Sequence, residues 1–204
     1  MRRGKRQWLR WSLALLGIAL LLVVLGGWLL PKWLIASPPV SSADVILHFP
    51  NEGSPLADAY SVELYRQKIA PKIVCISKPA VCELYSADYA RQRLIALGIP
   101  AEDVLTLHLP FAHCVAPHFP HIVAMAKANN WQRAIMVVRA PFTRSDGALA
   151  ARHFGQAGLQ VVVTSAPQDR ERFAGRWWTD HKTAQLIIQA AITAPLDPLY
   201  PECR

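Results

Sequence analysis

Residues able to bind an anion follow one of the apolar runs of this 204-residue chain. The run ends near Val138, and the next seven residues supply two guanidinium groups and two hydroxyls: Arg139, Thr143, Arg144 and Ser145. An Arg side chain suits phosphate or carboxylate because it presents parallel N–H groups. Hydroxyls and backbone N–H groups at the start of a helix can add to such a site. The alternative interpretation is a solvated loop in which Ser145 caps the helix that follows.

A carboxylate and an amide follow an earlier apolar run, at Asn51, Glu52 and Gly53. Glu52 is the candidate for general base catalysis, and Asn51 and Gly53 are candidate ligand contacts. The alternative is a turn in which Asn51 and Gly53 serve the backbone geometry. Ser77 ends the next apolar run and is a further candidate for ligand binding. No G-x-S-x-G motif occurs, so the sequence gives no signature of a serine hydrolase.

Four histidines lie within fourteen residues, between His108 and His121, with Cys114 among them. His113, His118 and His121 are the candidate metal ligands. A zinc site would need three or four ligands and a second shell to orient them, and no acidic residue is near. We therefore expect a surface or pH-responsive cluster of histidines rather than a metal site.

Apolar runs of strand length alternate with segments of helical period from Ala43 onward. The runs cover 45–49, 72–77, 104–109, 134–138 and 159–164. Most lack polar alternation, which is typical of strands covered on both faces in a parallel sheet. The helical segments cover about 54–68, 83–97, 118–129, 146–157 and 180–193. This order predicts an α/β fold, a Rossmann-like doubly wound parallel sheet of about five strands. Ligands bind such sheets beyond the carboxyl ends of the strands, where the candidate residues lie.

An apolar run without charge covers residues 11–30 and follows a basic arm over residues 1–10. Twenty helical residues span about 30 Å, the thickness of a bilayer's hydrocarbon core. The charge asymmetry predicts a single-pass protein of the bacterial inner membrane, with a cytoplasmic N-terminus and a periplasmic domain. A cleaved signal peptide is the alternative, but its apolar region is usually shorter. The predicted organisation is arm, transmembrane helix, linker over 31–42 and a single domain over 43–204.

The net charge of +8 does not indicate a nucleic-acid partner. Six of the 22 basic residues and none of the 14 acidic residues lie within residues 1–43. The rest of the chain therefore carries a net charge of only +2. The excess charge belongs to the N-terminal arm, and we expect no nucleic-acid binding.

The chain has four cysteines, Cys75, Cys82, Cys114 and Cys203. An even number in an oxidising compartment is compatible with two disulfides. The loops after the second and third strands should meet at one edge of the sheet, which predicts a disulfide between Cys82 and Cys114. Cys75 lies within an apolar run and reads as a small buried side chain.

Three stretches of the chain resemble the YdcF/SanA/ElyC-like family of bacterial envelope proteins. They are ADVIL at 43–47, ELYRQKIAPKIVCIS at 63–77 and RLIALGIPAEDVLTL at 93–107, and the resemblance covers about residues 43–192. It implies a Rossmann-like domain, a small phosphorylated or nucleotide-like ligand and a role in envelope biogenesis.

The polar motifs of that family are mostly replaced in this chain. Where the family has a run of glycines after the first strand, this sequence reads FPNEG at 49–53, and Pro50 removes a backbone donor. We therefore expect a binding or accessory factor in cell-envelope biogenesis, with other envelope-assembly proteins or a small anionic ligand as partners. The alternative is an enzyme acting on a phosphorylated or nucleotide-linked envelope precursor. The sequence identifies no cofactor.

Overall fold

The computed structural model describes residues 2–36, 38–49, 55–77, 86–110, 116–175 and 177–196. Its centre is a five-stranded parallel sheet in the order β3-β2-β1-β4-β5. The strands are β1 Val45–His48, β2 Ile73–Ser77, β3 Val104–His108, β4 Arg133–Val137 and β5 Gln160–Thr164. The α/β fold with a parallel sheet of five strands is confirmed, and each strand lies within one or two residues of its predicted position.

Seven α-helices accompany the sheet in the described part of the chain. They are α1 Arg2–Leu34, α2 Pro55–Arg66, α3 Ser86–Ala96, α4 Phe119–Ala128, α5 Thr143–Gln156, α6 Pro167–Ala174 and α7 His181–Leu196. The sequence did not predict α6. Its eight residues, PQDRERFA, are mostly polar and bury only Asp169 and Phe173, so they show no apolar periodicity.

The two faces of the sheet bury separate cores. On one face, Val45, Leu47 and Met136 pack with Phe119 of α4 and Phe154 of α5. On the other face, Ile46 and Cys75 pack with side chains of α2 and α3. Covering both faces explains why the strands read as nearly continuous apolar runs.

A third apolar cluster joins α1 to the C-terminal helices. Leu34 at the end of α1 is 1% exposed and packs with Ala140, Phe173 of α6 and Ile187 of α7. Leu30 lies against the same cluster. The end of α1 is therefore part of the folded domain.

The apolar run over residues 11–30 is helical, as part of α1, but the prediction that it crosses a membrane is wrong. Among the described residues, no helix is both long and apolar enough to span a bilayer. A physical reason lies at the end of the run, where Trp177 Nε1 donates a 2.8 Å hydrogen bond to the carbonyl of Gly27. The stretch from Trp11 to the residue before Gly27 is about 24 Å long, less than the ~30 Å of a hydrocarbon core. The predicted single-pass inner-membrane location is also wrong, because it depended on this run crossing the membrane.

Candidate functional site

Polar side chains lie at the carboxyl ends of four of the five strands. β3 ends at His108, β2 at Ser77, β1 at His48 and β5 at Thr164. The strand order reverses at β1, which pairs with β2 on one side and with β4 on the other. In doubly wound sheets, ligands bind at the carboxyl edge beside this reversal. We take this edge as the candidate site.

His48 anchors a buried polar network beneath the edge. Its Nδ1 lies 3.0 Å from Ser61 Oγ, and its Nε2 lies 2.9 Å from Asp58 Oδ1, a short contact that is not well directed as a hydrogen bond. The second oxygen of Asp58 accepts a 2.6 Å hydrogen bond from Arg93 Nε. Burial alone would raise the pKa of the Asp58 carboxyl, but the contacts with His48 and Arg93 outweigh burial and lower it.

The Ser61–His48–Asp58 grouping has the residue types of a catalytic triad without its accessibility. Ser61 and His48 are 0% exposed and Asp58 is 4% exposed, so no substrate can reach the hydroxyl. The serine also meets Nδ1, whereas in serine proteases it meets Nε2. The network therefore joins β1, α2 and α3 rather than performing acyl transfer.

Cys75 lies opposite His48 in the neighbouring strand. Its thiol is buried, and desolvation raises its pKa to about 12. A thiol in this state is protonated and poorly nucleophilic at neutral pH. Cys75 is a free cysteine, and no disulfide is seen among the described residues.

Ser77, predicted to contact a ligand, has a structural partner. Its Oγ accepts a 2.9 Å hydrogen bond from the backbone N–H of Ala87, in the first turn of α3. The side chain is buried, with 7% of the residue exposed. Ser77 thus satisfies one of the unpaired N–H groups at the start of that helix.

Three of the predicted anion-binding residues lie at the start of α5, next to the end of α1. The hydroxyl of Thr143 accepts the N–H of Ala36 at 2.8 Å and donates to the carbonyl of Ala140 at 2.8 Å. Arg144 Nε donates to the carbonyl of Trp33, and its guanidinium carbon lies 5.5 Å from the centroid of that indole ring. Ser145 Oγ lies 3.2 Å from the carbonyl of Phe142. Thr143 and Arg144 therefore hold the end of α1, whereas Ser145 contacts the turn that precedes α5.

Arg139, the fourth predicted anion-binding residue, is different. Its Nε is buried and has no hydrogen-bond partner within the described ranges. The hydroxyls of Thr164 and Ser165 are also buried and have no hydrogen-bond partner within those ranges. Both residues are 0% exposed. Asp169 contacts the residue that follows Arg139, since its Oδ2 accepts the N–H of Ala140 at 2.9 Å. Unpaired donors thus gather at the ends of β4 and β5.

The remaining predicted site residues divide between described and undescribed parts of the chain. Of the metal candidates, His118 is buried at the start of α4 and His121 is exposed one turn later. No group of three or more potential metal ligands exists among the described residues. Several candidates lie outside those residues and stay predictions: Asn51, Glu52, Gly53, Cys82, His113 and Cys114.

The residues of the buried network and the pair at the end of β5 are absent from the sites predicted from the sequence. The sequence pattern places His48 within one predicted strand and Thr164 at the end of another. A polar residue closing an apolar strand is the signal that could have identified both, because the carboxyl ends of parallel strands share one edge. Asp58 and Arg93 gave no comparable signal, since they lie on helices whose packing the sequence does not fix.

Comparison with known proteins gives no further assignment: the chain matches no family model, no curated protein and no solved structure.

Proposed function

We propose that this protein is a binding protein that holds a small anionic ligand at the carboxyl edge of its sheet through Arg139. We further propose that it acts as a binding or accessory factor in cell-envelope biogenesis and performs no chemistry of its own. The envelope role draws on the resemblance of residues 43–47, 63–77 and 93–107 to YdcF-like proteins. The ligand-binding role draws on the geometry of the edge.

The buried, unpartnered Nε of Arg139 carries the proposal. Buried donors in native proteins are nearly always hydrogen-bonded, and Arg139 is only partly buried as a residue, so the rest of its side chain is open to a ligand. An anionic ligand would supply that acceptor. Arg139 also follows β4, the strand beside the reversal of strand order, where doubly wound sheets bind ligands.

Accessibility separates the binding role from the enzymatic alternative. The Ser61–His48–Asp58 grouping is closed to substrate, and Thr143 and Arg144 hold the end of α1. An enzyme using Glu52 stays a prediction, because Glu52 lies outside the described residues. No contact of the described residues favours it.

Calorimetric titration of the full-length protein with inorganic phosphate and with acetate tests the binding role. A hydrogen bond to a charged group contributes about 1.5–3 kcal/mol, so Arg139→Gln should weaken binding of both anions about 10- to 100-fold. Arg144→Gln is the matched control, because that guanidinium already has a partner in Trp33, and it should change binding less than about threefold. Unchanged binding in Arg139→Gln would overturn the proposal.

A further inference from the structure

A groove of about 470 Å³ opens at the amino edge of the sheet, opposite the edge that carries Arg139. It lies between the end of α2 and the residues that precede β2 and β3. Its volume is within the range of about 300–1,000 Å³ that is typical of small-molecule sites. Ala70 and Pro71 form the apolar part of its lining, and the other lining residues are a tyrosine and four charged residues.

The charged lining of the groove is mostly positive. Arg66, Lys68 and Lys72 supply three cations and Asp103 supplies one anion, which leaves a net charge of +2. Glu102 stands beside the groove and outside its lining, and its carbonyl accepts a 3.0 Å hydrogen bond from Lys72 Nζ. Because the three cations line one open groove, an anion that enters it meets all of them.

The one acid of the lining, Asp103, already has two partners. Its Oδ1 accepts a 2.6 Å hydrogen bond from Lys72 Nζ, and its Oδ2 accepts one from the hydroxyl of Tyr65. The hydrogen bond from Lys72 is the main reason that the pKa of the Asp103 carboxyl is lowered. Lys72 and Asp103 therefore compensate each other, and the charges of Arg66 and Lys68 are left without a counter-charge in the lining.

Arg66 is oriented by the backbone and keeps most of its donors. Its Nη2 donates a 2.8 Å hydrogen bond to the carbonyl of Leu97. A guanidinium has five N–H donors, so four remain for a ligand or water. Within the described ranges, Arg66 forms no ion pair. The guanidinium is thus held at the groove by a neutral group that leaves its charge uncompensated.

Lys68 has a backbone conformation that suits glycine better than lysine. Its φ is +57°, in the left-handed region, where helices usually end at a glycine. Its N–H donates a 2.9 Å hydrogen bond to the carbonyl of Tyr65 and so closes α2. In the part of the chain that the structure describes, its side chain forms no ion pair. Neither the backbone nor an ion pair explains a lysine here, whereas an anion in the groove does.

We infer that this groove binds a small anion with two or more negative charges, a diphosphate or a dicarboxylate. The groove is a second site, separate from Arg139 and beyond the proposed function. Two negative charges match the uncompensated charges of Arg66 and Lys68, and Arg binds phosphate and carboxylate groups in the same bidentate manner. An anion with one charge would leave one of the two cations uncompensated.

Calorimetric titration with inorganic pyrophosphate, succinate and acetate tests the inference. The full-length Arg139→Gln protein is used, so that the carboxyl edge does not contribute to the signal. We expect pyrophosphate or succinate to bind at least about tenfold more tightly than acetate, and the tighter of the two identifies the class of anion. Raising the salt concentration from about 20 to about 200 mM should weaken this binding, because exposed charges are screened.

Variants of the groove then assign the binding to its residues. In the same protein, Arg66→Gln should weaken pyrophosphate or succinate binding about fivefold and Lys68→Gly about threefold. Lys127→Gln is the matched control and should change it less than about 1.5-fold. Lys127, like Arg66, is an exposed cation in the last turn of its helix, but α4 covers the other face of the sheet.

The melting temperature separates lost binding from lost folding. Lys68→Gly relieves the left-handed conformation of a non-glycine residue, so it should raise the melting temperature by about 2–4 °C while it weakens binding. A residue that served folding alone would not combine higher stability with weaker anion binding.

Three results would overturn the inference. They are acetate binding as tight as that of the other two anions, no binding of pyrophosphate or succinate to the Arg139→Gln protein, and equal weakening by Lys127→Gln and Arg66→Gln. The proposed function stands in each case if Arg139→Gln itself weakens phosphate and acetate binding. If Arg139→Gln changes nothing while Arg66→Gln weakens binding, the groove is right and the proposed function is wrong.

Discussion

Nε2 of His48 lies 2.9 Å from Oδ1 of Asp58, and this contact joins the end of β1 to the first turn of α2. The same carboxylate reaches α3 through a 2.6 Å contact with Arg93 Nε. One buried charge therefore ties three elements together beneath the carboxyl edge. Removing the Asp58 carboxylate alone would leave His48 buried without it. This costs more than replacing both side chains with apolar ones.

We expect Asp58→Asn to lower the free energy of unfolding by about 1.5–3 kcal/mol, because the buried carboxylate loses its charged hydrogen bond with Arg93, whose side chain is 48% exposed, and its contact with buried His48. Asp88→Asn is the control, since its contact with His108 is half-exposed and such pairs contribute about 0–1 kcal/mol. Urea denaturation followed by circular dichroism measures both. Equal losses in the two variants would show that the Asp58 network contributes no more than a surface pair.

The lowered pKa of Asp58 also predicts how stability depends on pH. Since the folded-state pKa lies below the ordinary 3.8, the folded protein binds fewer protons than the unfolded chain between those two values. The stabilisation is complete above about pH 5 and is lost as pH falls through the folded-state pKa. Denaturation curves from pH 5 to pH 2 should fall less steeply in Asp58→Asn than in the unchanged protein. Parallel curves would contradict this origin of the acid sensitivity. The pKa of Asp180 is lowered to about 2, and this group contributes equally to the acid sensitivity of both proteins.

The docked end of α1 predicts a large difference between two neighbouring leucines. Leu34 is 1% exposed, and truncating such a side chain to Ala typically costs 2–5 kcal/mol. Leu29 is 50% exposed, and Leu29→Ala should cost less than about 0.5 kcal/mol. Chemical denaturation of the two variants is the measurement. A loss of less than about 1 kcal/mol in Leu34→Ala would mean that α1 is not part of the cooperative unit.

Cys75 should resist alkylation in the native protein. Its thiol is buried and its pKa is raised to about 12, so little thiolate is present at pH 8. Treatment with iodoacetamide followed by peptide mapping should leave Cys75 unmodified in the native protein and fully modified in 6 M guanidinium chloride. Rapid native labelling would show that the thiol is accessible.

The sheet could be predicted from the sequence because its strands carry their own signal. Residues such as Val45, Ile46 and Leu47 are buried on both faces, so each strand reads as an apolar run ended by a polar residue or a turn. α6 escaped prediction for the opposite reason. It buries only Phe173 and the polar Asp169, which gives no apolar period to detect.

The position of the candidate site could be predicted from the sequence, but the contacts of its side chains could not. Parallel topology directs attention to the carboxyl edge, where Ser77 and Arg139 indeed lie. The sequence could not show that Ser77 would accept a bond from Ala87, or that Thr143 would bind Ala36, because these partners are set by tertiary packing. The membrane prediction could not foresee tertiary contacts either: hydropathy registers the apolar character of Leu30 but not its packing against the cluster that contains Phe173.

The hydrogen bond from Trp177 to Gly27 shows that the folded unit extends into α1 as far as Gly27. Ala36, Leu34 and Gly27 are all held by side chains from the C-terminal half of the chain, so that unit starts inside α1. A protein shortened to begin after residue 36 would open the side of Phe173 and Ile187 to water and release Thr143 from its backbone partner. A shortened protein that keeps these contacts should therefore start before Gly27, even though the sheet itself starts at Val45.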